Sequence, residues 1–126
     1  MAVSWTLGCD AADPQALAGF WAAALGYVRE VGFDGPDNAS IVDPADLGPA
    51  IGFLRVPEAK TSKNRMHVDV RVSRDHPPAD HDAVIRAEVD RLVAVGATRV
   101  REEFYEHGVL GHVVMADPEG NEFCVA

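Results

Sequence analysis

Hydrophobic residues recur along this chain with two different periods, and the alternation between them sketches the fold. In "VSWTLGC", Val3, Trp5, Leu7 and Cys9 fall on one side of an extended chain, and in "MHVDVRV" so do Met66, Val68, Val70 and Val72. Successive side chains of a strand point to opposite faces, so both stretches predict half-buried strands. After Asp13 the period changes. Leu17, Phe20, Trp21, Ala24 and Leu25 follow helical spacing and give a helix one apolar stripe. Asp13 can cap that helix, Pro14 suits its first position because the missing N–H would be unpaired there anyway, and Gly26 can take the left-handed stop. A second helix follows "HPPADHD", with Ile85, Val89, Leu92 and Val93 as its stripe and Gly96 as its stop. Three strand candidates follow each helix: Tyr27–Phe33, Asn38–Val42 and Ile51–Val56, then Thr98–Tyr105, Gly111–Ala116 and Glu122–Val125.

The two halves echo each other. "ALGYVREV" (Ala24 to Val31) returns as "AVGATRVRE" (Ala94 to Glu102), and "SIVDP" (Ser40 to Pro44) as "VMADP" (Val114 to Pro118). The plan is strand, helix and three strands, twice, an α+β arrangement. With 126 residues the chain has the length of one domain, 1–126, with internal modules at about 1–58 and 64–126.

Composition narrows the partners. A formal charge of −9 opposes nucleic acid and anionic membrane surfaces, both of which require a basic footprint. No stretch has the unbroken apolar run of a membrane span, and "MAVSWTLGCDAAD" lacks the basic and apolar regions of a signal peptide, so a cytoplasmic location is the expectation. Cys9 and Cys124 stand far apart without CxxC spacing and read as free thiols. No GxSxG occurs, and "GFDGPDN" reads as a turn because no helix follows it.

"FWAAALGY" after the first strand, "KNRMHVDV" opening the second half and the closing "DPEGNEFCV", set in the doubled plan, resemble the vicinal oxygen chelate superfamily in its glyoxalase-like branch. The resemblance covers essentially the whole chain. It implies two βαβββ modules whose curved mixed sheets form an open barrel-like cavity with the helices outside, and it implies a homodimer. Members include glyoxalases, ring-cleaving dioxygenases, epimerases, thiol transferases and drug-sequestering proteins, so the fold does not choose the function.

The cavity face must choose it. If the valines of "MHVDVRV" meet the helix, His67, Asp69 and Arg71 point the other way. His67 stands where metal-dependent relatives place a ligand. The matching position on the first strand is about Thr6, a poor ligand, with Ser4 on the same face. In the last strand relatives show a glutamate where this chain has Cys124, and Glu122 lies one step earlier on the same face. If a divalent metal binds, Zn, Ni, Mn or Fe, its ligands come from His67, Glu122 or Cys124. The shortage of ligands weighs toward a site without a resident metal, in which Asp69 or a backbone group holds His67.

Phe53, Phe104, Tyr105 and His112 come from strands expected to line the cavity, Trp5 and Trp21 are expected in the core, and His76, His81 and His107 read mostly as surface residues. Lys60, Lys63 and Arg65 form a basic cluster before the His67 strand, on a solvated connection or as an anion contact, and Asn64 and Arg65 can instead bind backbone groups that hold the crossover. Two readings follow. The first is a metal-independent binding protein for a small hydrophobic or aromatic molecule, held by His67, Asp69, Arg71, Thr6, Phe53, His112 and Glu122, serving sequestration or resistance. The second is a divalent-metal lyase, isomerase or dioxygenase that uses His67 as its catalytic residue. A simple accessory domain is a third.

Overall fold

The computed structural model describes all residues, 1–126. The chain forms two compact units, Met1–Ala59 and Lys60–Ala126. The first contains β1 (Leu7–Ala11), α1 (Pro14–Leu25), β2 (Val28–Arg29), β3 (Asn38–Val42) and β4 (Ile51–Arg55). The second contains β5 (Asp69–Val70), α2 (His81–Ala94), β6 (Thr98–Phe104), β7 (Leu110–Ala116) and β8 (Glu122–Val125). The two sheets have the same topology, β1-β4-β3-β2 and β5-β8-β7-β6. In each, the first strand pairs in parallel with the last and the other neighbours are antiparallel. This is the βαβββ plan twice over.

α1 forms as its sequence specifies. The Asp13 carboxylate accepts from the Ala16 amide at 3.1 Å, and Gly26 takes the left-handed conformation at φ 72°. Leu17, Phe20, Trp21 and Ala24 are buried, with Phe20 and Trp21 edge to face at 5.3 Å. A polar latch ties α1 to β2 and β3: the Gln15 amide donates to the carbonyls of Gly35 (2.6 Å) and Asn38 (2.9 Å) and accepts from Arg29 (2.5 Å). In α2, Ile85, Val89 and Leu92 are buried, but Val93 is 45% exposed. It therefore leaves the expected stripe, because three residues already fill the face that meets the sheet.

Several strands are shorter than the alternation suggests. β1 starts at Leu7 because its partner begins at Ile51, directly opposite. Val3 and Trp5 precede any partner, so Trp5 is 62% exposed where a core position was expected. β5 is likewise limited to what β8 can pair: the amides of Cys124 and Ala126 bond the carbonyls of Val68 and Val70, and Met66 is left exposed. β2 ends early at the Gly32 turn (φ 97°).

The two DP turns use one device, a carboxylate that gathers backbone amides. Asp43 accepts from Ala45, Leu47 and Gly48, and these donors hold its carboxyl below the usual range. Asp117 accepts from Glu119 and Asn121 amides at 2.9 Å each and from the Asn121 side chain. Gly120, at φ 84°, completes that turn, since only glycine adopts such a φ without strain.

Candidate functional site

In the second unit, Val113, Met115, Phe123 and Val125 are buried on one face of the sheet, where Met115 pairs with Phe123 and Val113 with Val125. Both β7 and β8 meet α2. By the two-residue period Cys124 and Glu122 turn to the opposite face. Register then places Asp69 beside Cys124 across the parallel pair. His67 lies two residues before Asp69, and its Nδ1 is 3.2 Å from the Asp69 carboxylate. The ligand atoms of His67, Asp69 and Cys124 all lie within 4.8 Å of one another. A two-residue strand and one aligned pair are enough to assemble nitrogen, oxygen and sulfur at one point.

The cluster satisfies much of its own chemistry. Burial pushes the Cys124 thiol above its ordinary range, the Asp69 carboxylate pushes it further by charge and by accepting its hydrogen bond, and Arg101 opposes them. A raised thiol pKa leaves less thiolate and hence slower alkylation. In a Cys9→Ser background, Cys124 is expected to react with iodoacetamide more slowly at about pH 8 than a free cysteine, and Asp69→Asn is expected to accelerate it. Equal rates in the two proteins would show that Asp69 does not hold the thiol.

Glu122 is also engaged. Its carboxylate lies 3.7 Å from Arg101 and 3.8 Å from Lys63, while Arg101 donates to Glu103 at 2.6 Å. The crossover is tied down by Asn64, whose amide nitrogen donates to the Glu122 carbonyl (3.0 Å) and whose amide oxygen accepts from the Glu122 N–H (2.8 Å). That bears out the backbone-binding role expected of Asn64. Two hydrogen bonds at about 1 kcal/mol each set the expected cost of Asn64→Ala at roughly 2 kcal/mol, readable by urea unfolding. A loss near zero would mean that the crossover is held otherwise.

Two β-bulges shape the other side of this sheet. Between β6 and β7 the register steps from Arg99 opposite Met115 to Arg101 opposite Val114, and from Glu103 opposite His112 to Phe104 opposite Leu110. Val100 and Gly111 are the extra residues. The Tyr105 ring occupies the place a Gly111 side chain would take: a Cβ there would come within 2.3 to 2.5 Å of three ring carbons. From that seat the Tyr105 hydroxyl reaches His112 Nδ1 at 2.9 Å.

The residues expected at a site thus divide. His67, Asp69 and Cys124 converge, with Glu122 next to Cys124 on β8 and His112 on β7. Arg71 is exposed beyond β5, outside the convergent group. Thr6 is exposed ahead of β1 in the first unit. Phe53 does not face away from α1: it is 2% exposed and lies in the core of the first unit, because its register beside Ala39 and Cys9 puts it on the helix side. Phe104 and Tyr105 are exposed. Of the basic cluster, Lys63 pairs with Glu122, and Lys60 donates to the Ser62 carbonyl. Neither cysteine forms a disulfide. Arg101 escaped the sequence reading, since a bulge shifts the alternation that would have assigned its face. A shallow groove lined by Val72, His76, Val84, Ala87, Glu88 and Arg91 borders α2 and contains none of the convergent residues.

As a donor set, one imidazole, one carboxylate and one thiol suit a borderline-soft ion such as zinc better than magnesium or calcium, which prefer oxygen. No helix is long and apolar enough to cross a membrane.

Comparison with known proteins gives these features a family. The model of the glyoxalase-like domain family matches residues 6–126. The chain is similar in structure to a glyoxalase/bleomycin resistance protein/dioxygenase family enzyme from Burkholderia phytofirmans PsJN, at 18% identity over 95% of this chain and 94% of that one, with a TM-score of 0.71. It is similar to a glyoxalase-related enzyme from Fulvimarina pelagi, at 23% identity over 100% and 86% of the two chains, with a TM-score of 0.62. It is also similar to the fosfomycin resistance protein FosX from Listeria monocytogenes, crystallised as a mutant with Mn(II) and 1S,2S-dihydroxypropylphosphonic acid, at 12% identity over 99% and 91%, with a TM-score of 0.68. No curated protein matches the chain. At such identities structural likeness carries the fold alone, but the family match runs from just before β1 through β8 and agrees with the doubled βαβββ plan, and the chain belongs to the glyoxalase-like domain family.

Proposed function

We propose that this protein binds a small aromatic or hydrophobic organic molecule against the helix-distal face of its second sheet, without a resident metal. The observation that carries the reading is that the negative groups there are already matched from within: Asp69 takes the His67 N–H and the Cys124 thiol, and Glu122 sits between Arg101 and Lys63. A metal would have to break these pairings and draw a proton from a thiol whose raised pKa resists the loss. An organic ligand can use the same face as it stands, through imidazole contacts. Sequestration or resistance is the role this fits, and homodimerisation belongs to the same proposal.

One observation favours a second reading, the convergence of three donor atoms within 4.8 Å. In that reading His67, Asp69 and Cys124 hold a zinc-class ion, which when bound supplies Lewis-acid polarisation of a substrate oxygen. Glu122 then orients the substrate, with Arg101 and Lys63 balancing its charge.

Elemental analysis of the purified protein and its His67→Ala variant, followed by NMR titration with aromatic fragments, separates the two. The binding reading expects no stoichiometric metal in either protein and fragment-induced shifts at His67, His112, Glu122 and Cys124. Near-stoichiometric zinc in the wild type, lost in His67→Ala, would overturn it in favour of the metal site.

A further inference from the structure

The connection between β2 and β3, residues 30–37, carries the sequence "GFDGP" (32–36), and its backbone is held firmly on one side of Asp34. The carbonyls that follow Asp34 are anchored without a gap: Gly35 and Asn38 accept from the Gln15 side-chain amide at 2.6 and 2.9 Å, Pro36 accepts from the Arg55 side chain at 3.2 Å, and Asp37 accepts from the Arg55 backbone N–H at 2.8 Å. On the other side the next bond back is Glu30 N–H to the Ser40 carbonyl, at 2.9 Å. Asp34 lies between these anchors with an exposed side chain. Neither its carboxylate nor the Gly35 N–H has a partner in the protein.

An unpartnered aspartyl side chain next to an unpartnered glycine nitrogen has a reaction open to it. The Gly35 nitrogen attacks the side-chain carbonyl carbon of the protonated Asp34 carboxyl and gives up its proton, and water leaves as a cyclic succinimide closes. Water then adds back. At the side-chain carbonyl carbon it restores aspartate; at the main-chain carbonyl carbon it leaves isoaspartate, whose chain runs through the former side chain and is one methylene longer. No oxidant or reductant enters. Glycine favours the closure because it has no Cβ to crowd the ring and has the widest backbone freedom. The other aspartates are worse placed. Asp13, Asp43 and Asp117 precede prolines, which have no N–H to attack with. Asp10 and Asp69 lie in strands and Asp82 and Asp90 in α2, where regular dihedrals hold the backbone. Asp37, the nearest competitor, pairs with Arg55 at 3.5 Å. Asp34 is the one aspartate in the chain that a glycine follows.

We infer that Asp34 is a site of spontaneous conversion to isoaspartate, that the added methylene draws the Gly35 carbonyl away from the Gln15 amide, and that the product is a substrate for an isoaspartyl carboxyl methyltransferase. The modification lies in the first unit and does not depend on what the second binds. Gly35 is the first anchored residue after the insertion, so its bond to Gln15 takes the displacement. Gln15 keeps Asn38 and Arg29, and Asp13 still caps α1. The helix therefore stays formed while its grip on the loop loosens. The isoaspartyl residue presents a free main-chain carboxylate at an exposed position, and that is the group such an enzyme methylates with S-adenosylmethionine.

The test ages the whole folded chain at neutral pH in water enriched in 18O. Isoaspartate is expected to accumulate at Asp34 with uptake of 18O there, to resist an aspartate-specific protease at that residue in the peptide map, and to accept labelled methyl groups from S-adenosylmethionine and a purified isoaspartyl methyltransferase. Gly35→Ala is expected to slow the accumulation several-fold. Gly35 holds no positive φ, and a Cβ there comes no nearer than 3.9 Å to Asn38, so the variant keeps the fold. In the isoaspartyl form, separated by chromatography, the Gln15 side-chain amide protons are expected to exchange with water about fivefold faster, the worth of one hydrogen bond. No isoaspartate at Asp34 in the folded protein overturns the inference, whether or not the urea-unfolded chain forms it, and so does faster accumulation at Asp37. Unchanged Gln15 exchange in the isoaspartyl form overturns the release of the latch. A methyltransferase that modifies the aged chain only after unfolding overturns the assignment of the enzyme as a partner of the folded protein.

Discussion

Replacing Phe123 by alanine is expected to lower the unfolding free energy by about 3–5 kcal/mol, the range for emptying a buried aromatic site. Phe123 is 1% exposed and pairs with Met115 across β7 and β8, on the face that α2 covers with Ile85, Val89 and Leu92. A strand of four residues has few ways to collapse around the void, which favours the upper part of that range. The effect should reach the candidate site, because Cys124 is the next residue along and its register fixes Asp69. Urea unfolding measures the stability, and the alkylation rate of Cys124 in the same variant reports the site. A loss below about 1 kcal/mol would mean that α2 closes over the gap and that the β8 core position is not critical.

The second large effect is expected at the turn that delivers β8. Asp117→Ala should cost about 3 kcal/mol. The carboxylate is 4% exposed, and it satisfies the amides of Glu119 and Asn121 and the Asn121 side chain at once. Removing it strips three part-buried donors of their partner inside a closed turn, which is more costly than losing a bond that water can replace freely. Asp43→Ala, the corresponding change in the first unit, should cost less, because its loop is largely exposed and water can reach the freed amides. Parallel urea unfolding of the two variants is the check. Equal losses would show that burial does not set the difference between these two otherwise similar turns.

Much of the fold is legible in the sequence because it depends on local chemistry. A capping aspartate, a proline at the first helical position and a glycine stop define α1 without reference to anything distant. The two DP turns announce themselves by the same logic, and β3 and β8 run over the residues their alternation marks. The strands that were misjudged are those whose length belongs to a partner. Val3 and Trp5 alternate correctly with Leu7 and Cys9, yet no strand lies opposite them, and alternation cannot report a missing neighbour. Val93 fits the helical period but stands where the sheet is already covered.

The candidate site shows the same division. His67 and Asp69, two residues apart, had to share a face if a strand formed at all, and their contact followed. That Cys124 rather than Glu122 completes the cluster is a matter of register between strands more than fifty residues apart in sequence, which no local pattern encodes. Phe53 went to the core because the pairing of β4 with β1 and β3 fixed its face. Arg101 and the Tyr105–His112 pair depend on bulges, and a single inserted residue reverses the two-residue period on which strand reasoning rests. The sequence by itself determined the doubled plan, the ends of α1, the turns and one half of the site, whereas α2 begins at His81, inside the stretch expected to precede it. Only the tertiary structure decided which side chains from distant strands meet, because hydrogen-bond register between strands, unlike helix capping or turn geometry, is settled by the whole sheet at once.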